Sequence, residues 1–202
     1  MPCLVEAFAH RLIACPMLPT VAPDEAATFI GSIDAPAVIW FLRPDGPLPD
    51  DPAWRSVLQA LQEKRTALFL HPGVEPVSAL FEPWGLSSAM SAPVLTSVAV
   101  MRLILSGTCD SVPDLSIVVP HAGGVIPFLI ARLEDQTAGV QPGLLRDILS
   151  RFTYDSACFD SSALGHLRRI LPEARIQLGS DAPFRGPITR ARRVHDRAKA
   201  GA

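Results

Sequence analysis

The sequence lacks most features that would place it in a specialised class of protein. Its four cysteines, Cys3, Cys15, Cys109 and Cys158, form no Cys-x-x-Cys pair, so neither a zinc knuckle nor a disulfide framework is indicated. The 18 basic and 20 acidic residues nearly balance, which gives no footprint for nucleic acid or an anionic membrane. We find no apolar run of the ~18 residues that span a membrane and no targeting signal. We therefore expect a cytoplasmic protein.

The sequence does have enough apolar residues for a core. They make up 49% of 202 residues, and we expect one domain, 1–202. Short apolar segments that favour strands alternate with segments that favour helices. Strands without internal alternation, separated by helices, are typical of a parallel sheet covered by helices, which predicts an α/β fold. The six predicted strands lie at 11–17, 37–42, 66–70, 115–119, 152–154 and 175–178.

Helix signals fill most of the sequence between these strands. Gly107 stands where a helix end favours glycine, and Ser161 stands where a helix start favours a capping side chain. A loop is predicted at 74–93, and a loop of this length inside a compact domain is often a functional lid. Trp84 in this loop would either stack on an aromatic substrate or pack the loop onto the core. The main predicted helices are 24–32, 54–64, 94–106, 125–133, 144–150 and 161–171. The final stretch, 188–202, is either a basic helix or a frayed tail.

Polar side chains follow several of the predicted strands. His71, His121 and Asp181 come directly or shortly after a strand, and parallel strands bring such residues to one rim of the sheet. Imidazoles and carboxylates are ligands that suit zinc and similar ions, which polarise a carboxyl group or activate water. The alternative is that each residue caps a helix or satisfies a loop. Asp155 also ends a strand, where it would support the site or form an orienting hydrogen bond to a loop.

Four longer motifs carry a family resemblance. The chain resembles the amidohydrolase superfamily of metal-dependent (β/α)8 barrels, in the branch of aminocarboxymuconate semialdehyde decarboxylase and 6-methylsalicylate decarboxylase. The motifs are LFLHPG at 68–73, LILSGTCDSVPDLSIVVPHAGGVIPFLIARLED at 103–135, FTYDSA at 152–157 and IQLGSDAPF at 176–184.

This resemblance implies a role for four residues. His71 and Asp181 would be ligands of a divalent metal, with zinc expected and manganese as the alternative. His121 would be the acid/base residue beside that metal. Arg132 would meet the carboxylate of a small-molecule substrate.

The chain also departs from the family. Members carry an HxH motif after the first barrel strand, whereas here His10 is followed by Arg11 and no HxH occurs. The resemblance therefore implies an N-terminally truncated TIM barrel with about six of eight βα units. Because the missing strands would leave sheet edges unpaired, we expect self-association into a homo-oligomer.

Three functions remain open on the sequence alone. The first is a metal-dependent decarboxylase that acts on a small unsaturated or aromatic carboxylic acid, and the wording of the motifs favours it. The second is a hydrolase of an amide or lactone, because metal-bound hydroxide uses the same residues. The third is a barrel fragment without catalytic activity.

Overall fold

The structure of the chain, a computed structural model, describes residues 12–137, 143–181 and 188–200. Within these residues five strands form one sheet: β1 (Ala37–Leu42), β2 (Ala67–Pro72), β3 (Ile117–Val119), β4 (Thr153–Asp155) and β5 (Arg175–Gln177). The same part of the chain contains eight α-helices: α1 (Pro23–Ser32), α2 (Arg55–Lys64), α3 (Ala92–Leu105), α4 (Thr108–Ser111), α5 (Ile126–Gln136), α6 (Leu144–Ser150), α7 (Ser161–Ile170) and α8 (Ile188–Ala200).

The strands follow one another in space in the same order as in the chain. Every neighbouring pair is parallel, and the sheet order is β1-β2-β3-β4-β5. Helices make the return connections, so the strands wind in one direction, as they do in a (β/α)8 barrel. Within the described residues the sheet has two edges and does not close. The predicted α/β class is confirmed.

The two faces of the sheet differ in burial. In β1 and β2 every second side chain is buried, and Val38, Trp40, Leu68 and Leu70 are completely enclosed in the hydrophobic core. The alternate side chains, among them Phe41, are only half-buried. Because side chains of a strand alternate between faces, one face packs under the helices and the other corresponds to a barrel interior.

Five of the six predicted strands are confirmed, and Ala37–Leu42 has the predicted bounds. The strand predicted at 11–17 is wrong for its described residues, which contribute only one bridge, between Met17 and Ile39. There Ile39 N donates to Pro16 O at 2.9 Å, and Leu18 N donates to Ile39 O at 2.8 Å. Prolines lack the N–H that a sheet needs, and Pro16 is followed by two more prolines within seven residues, so pairing does not extend.

The predicted helix ends are partly right. Gly107 follows α3 in a left-handed conformation, with φ of 72°, as a glycine at that position favours. The predicted cap at Ser161 is wrong, because Asp160 caps α7. The Asp160 carboxylate accepts from Ser162 N at 2.6 Å and from Ala163 N at 3.1 Å. A carboxylate one residue earlier reaches both free N–H groups, so the serine is not needed.

One segment is longer and more apolar than the sequence analysis expected. The helical stretch Pro83–Leu105 has 23 residues and contains an 18-residue window with a mean hydropathy of 1.6, enough by length and composition to cross a membrane. The expectation that no such stretch exists is therefore wrong. Since 56% of that window is buried inside the protein, the stretch also has the character of a core helix.

Candidate active site

Polar residues from four strand ends meet at the carboxyl edge of the sheet. His71 is the next-to-last residue of strand β2, and Asp155 is the final residue of β4. His121 follows β3, and Asp181 follows β5. His71, His121 and Asp181 line one cavity of about 510 Å³, so the structure brings these three predicted residues together. Its other lining residues are Pro72, Gly73, Val74, Ser88, Ala89, Ala92, Pro93, Gly124, Ala157, Cys158 and Phe159.

His71 is held in place by aromatic neighbours on the half-buried face of the sheet. Its ring stacks on Phe41 with centroids 5.8 Å apart and planes at 9°, and Phe69 lies 6.0 Å away at 39°. The Nδ1 atom of His71 is buried and has no hydrogen-bond partner within the described parts of the chain. A buried polar atom without a partner is costly, and a water molecule, a ligand or an ion would satisfy it.

His121 begins a turn with an unusual backbone. His121 and Ala122 have φ of 57° and 53°, and Gly123 and Gly124 continue the positive values at 85° and 63°. Left-handed backbone costs a non-glycine residue about 1–2 kcal/mol, so other contacts must hold this turn. On the far side Ser97 Oγ accepts from Val125 N at 2.9 Å.

Asp155 holds the near side of the same turn. Its Oδ1 accepts from His121 N at 2.7 Å and from Ala157 N at 2.9 Å, so the orienting hydrogen bond considered from the sequence is present. Burial raises the pKa of the Asp155 carboxyl, and the nearby charge of Asp181 raises it further. The two backbone hydrogen bonds and the neighbouring His71 lower this pKa and only partly offset the effect of burial.

Two residues predicted to contact substrate do not line the cavity. Arg132 lies on an exposed face of α5, six residues past its start, which is ~9 Å along a helix axis that leaves the sheet edge. Trp84 is 91% exposed in the turn Pro83–Gly85, so it neither packs the loop onto the core nor enters the cavity. Both substrate-contact assignments therefore stay predictions that this geometry does not support.

The described residues do not complete a metal site. His71 and Asp181 offer one nitrogen and one carboxylate at the cavity, and the unpartnered Nδ1 atom suits such a role. Zinc sites use about four ligands, most of them from protein. Across 12–137, 143–181 and 188–200, no group of three or more His, Cys, Asp or Glu residues is arranged to hold an ion.

Some lining and supporting residues were not identified from the sequence. Phe159 lines the cavity four residues after the end of β4, with φ of 58°, and nothing in its local pattern indicates this role. Ser97 lies in the middle of α3, where a serine carries no signal that it supports a turn 28 residues away. Both positions depend on tertiary contacts.

The parallel order of the strands, with a cavity at their carboxyl ends, is the architecture of β/α-barrel proteins. Residues 8–202 match the family model of the amidohydrolases, Amidohydro_2. The chain belongs to this family, as its motifs indicated.

The similar proteins include decarboxylases. The chain is 30% identical over 146 residues to 2-amino-3-carboxymuconate-6-semialdehyde decarboxylase from Dictyostelium discoideum, which covers 67% of this chain and 40% of that protein. Its fold matches that of 5-carboxyvanillate decarboxylase from Sphingomonas paucimobilis with a TM-score of 0.82 and 24% identity, covering 96% of this chain and 63% of that one.

A second solved structure contains a metal. Dihydroxybenzoic acid decarboxylase from a Polaromonas species, with bound manganese and the inhibitor 2-nitroresorcinol, matches with a TM-score of 0.80 and 19% identity. This match covers 95% of this chain and 64% of the other. The chain thus spans between two fifths and two thirds of the length of these relatives.

Proposed function

We propose that this chain carries the catalytic centre of a metal-dependent decarboxylase that acts on a small aromatic or unsaturated carboxylic acid. One observation carries the proposal: His71, His121 and Asp181, from three strand ends, line a single cavity. The similarity of the chain to proteins that are named as decarboxylases of such acids supports the proposal.

The cavity suits a flat acid of modest size. Its volume of about 510 Å³ lies within the range of small-molecule sites, and Val74, Pro93 and Phe159 provide apolar surface for a ring. The polar groups are gathered at the sheet edge. The described lining contains no lysine or arginine, so the imidazoles are its only groups that can carry positive charge toward a carboxylate.

In this proposal His121 supplies the proton. When the bond between the ring carbon and the carboxylate breaks, its electron pair stays on that carbon and carbon dioxide leaves. A proton must then replace the carboxylate, and an imidazolium can donate it near neutral pH. After donating, His121 regains a proton from solvent through the open side of the cavity.

We also propose a divalent metal, with His71 and Asp181 as two of its ligands. Manganese in the solved relative supports a divalent ion, and zinc remains the expectation from sequence. The remaining ligands would be water or groups outside the described residues. Such an ion would stabilise negative charge on the substrate.

The test measures carbon dioxide released from 5-carboxyvanillate, a dihydroxybenzoate and 2-amino-3-carboxymuconate semialdehyde with manganese or zinc present. His121→Asn should lower kcat by about 10²–10⁴-fold, the usual contribution of a general acid. The matched control is His166→Gln, because His166 Nε2 lies 3.0 Å from Pro127 O and does not line the cavity. The control should retain the wild-type rate.

Three outcomes would overturn the proposal. The first is the absence of carbon dioxide from every acid with either metal. The second is turnover of an amide or lactone in place of these acids, which would favour the hydrolase. The third is a His121→Asn variant as active as wild type.

A further inference from the structure

Asp155 occupies a central place among the loops of the cavity without lining it. Its Oδ1 accepts two backbone N–H groups, from His121 in the β3 loop and from Ala157 in its own loop. The His121 contact, at 2.7 Å, is the shorter one and joins residues 34 positions apart. Hydrogen bonds to a carboxylate are stronger than those to a neutral acceptor.

The loop after β5 packs against the same Asp155 side chain. A Cβ on Gly179 would lie 2.9 Å from both Cβ and Cγ of Asp155, so only a glycine fits there. Gly179 N also donates to Ser156 Oγ at 3.1 Å. Gly179 precedes Asp181 by two residues, so Asp155 limits where the segment leading to Asp181 can run.

The contact with His121 N matters because His121 adopts a left-handed backbone conformation that is unfavourable for a histidine. The left-handed φ values of His121 and Ala122 are stable only if the surroundings enforce them. Ser97 fixes Val125 at the far end of the turn, and Asp155 fixes His121 itself.

We propose that Asp155 is the positioning residue of the site: its carboxylate fixes the His121 turn and seats the segment that leads to Asp181. The expected effect of Asp155 on catalysis rests on the proposed function. The expected effect of Asp155 on the His121 backbone does not, because the position of that backbone can be measured without substrate.

The first experiment compares Asp155→Ala with Asp155→Asn. The alanine variant removes the acceptor, so hydrogen exchange of the His121 amide should accelerate by about ten-fold or more, and kcat should fall about ten-fold or more with little change in KM. The asparagine variant keeps an acceptor oxygen and should recover most of the protection and most of kcat. Asp51→Ala, which removes a carboxylate that accepts from Ala53 N away from the cavity, should leave both quantities unchanged.

A second pair of variants keeps the proposal testable if Asp155→Ala fails to fold. Gly179→Ala should displace the Asp155 side chain and accelerate exchange at His121, whereas Gly165→Ala, whose new Cβ meets only a flexible Arg169 nitrogen at 3.8 Å, should not. Unchanged exchange and kcat in Asp155→Ala, or unchanged exchange in Gly179→Ala, would overturn the proposal. An asparagine variant as impaired as the alanine variant would also overturn it, since charge would then matter more than position.

The two proposals fail separately. If wild type releases no carbon dioxide from any acid, the proposed function fails, and the exchange rates at His121 still decide whether Asp155 positions the turn.

Discussion

At the scale of single residues, the site combines strain with unsatisfied polarity. His121 and Ala122 hold left-handed backbone, and His71 buries a ring nitrogen that has no partner in the described structure. Each feature costs stability, and such costs concentrate where a protein binds or reacts. Outside the cavity, His166 lies at hydrogen-bond distance from Pro127 O, whereas His195 Nδ1 on α8 is also buried without a partner among the described residues. The cavity differs in that His71 and the left-handed His121 line it together.

The cysteines give a prediction about reactivity. Burial raises the pKa of the Cys109 thiol to about 11, whereas Cys15 is exposed. Since the thiolate is the reactive form, iodoacetamide at pH 8 should modify Cys15 at least ~100-fold faster than Cys109 in the folded protein. Peptide mass spectrometry over time measures both rates, and labelling in urea provides the control in which the difference should vanish.

The raised pKa of Cys109 makes the free energy of unfolding depend on pH. Because the folded pKa of Cys109 lies above its unfolded value, its contribution is complete below the unfolded pKa and is lost as pH rises toward about 11. Equal labelling of Cys15 and Cys109 in the folded protein would show that Cys109 is not buried as described.

At the level of helices and turns, we expect glycine-to-alanine substitutions at two positions to have opposite effects on the stability of the protein. Gly165 lies inside α7 with ordinary space around it, so Gly165→Ala should stabilise the protein by about 0.5–1 kcal/mol through helix propensity. Gly124 has φ of 63°, and a Cβ there would lie 2.4 Å from Pro93 O and 2.5 Å from Ser97 Oγ. Gly124→Ala should destabilise by about 1–3 kcal/mol.

Urea unfolding of the two variants beside wild type measures both effects. A Gly124→Ala protein as stable as wild type would mean that the turn after His121 tolerates a side chain, and the description of that turn would be wrong.

Elements whose signals are local could be predicted from the sequence. The strand Ala37–Leu42 is a continuous apolar run and has its predicted bounds, and His71, His121 and Asp181 could be placed on one rim because parallel strands end together. The capping of α7 by Asp160 was missed because two adjacent residues were both able to cap.

Contacts between distant residues could not be predicted. The bond from His121 N to Asp155 depends on the register of β3 and β4, and the close approach of Gly179 depends on that of β4 and β5. The prediction for Arg132 came from the family resemblance, and that for Trp84 came from its place in a long loop. Neither kind of signal specifies the direction in which a side chain points.

At the scale of the whole molecule, the described chain is a parallel sheet with one face sealed by helices and one face half-buried. The candidate active-site cavity lies at the carboxyl edge of that sheet, where the active sites of complete barrels lie. Five adjacent strands in chain order are enough to bring His71, His121 and Asp181 together. The described residues do not supply a full set of metal ligands.

The central claim is that these residues form one metal-dependent site, and metal binding tests it without knowledge of the substrate. We would measure manganese and zinc bound to the purified chain by elemental analysis, for wild type, His71→Ala and the control His166→Gln. We expect about one metal ion per chain in wild type and control, and loss of that ion in His71→Ala. A folded wild-type chain that binds neither metal, or a His71→Ala variant that binds as much as wild type, would contradict the central claim.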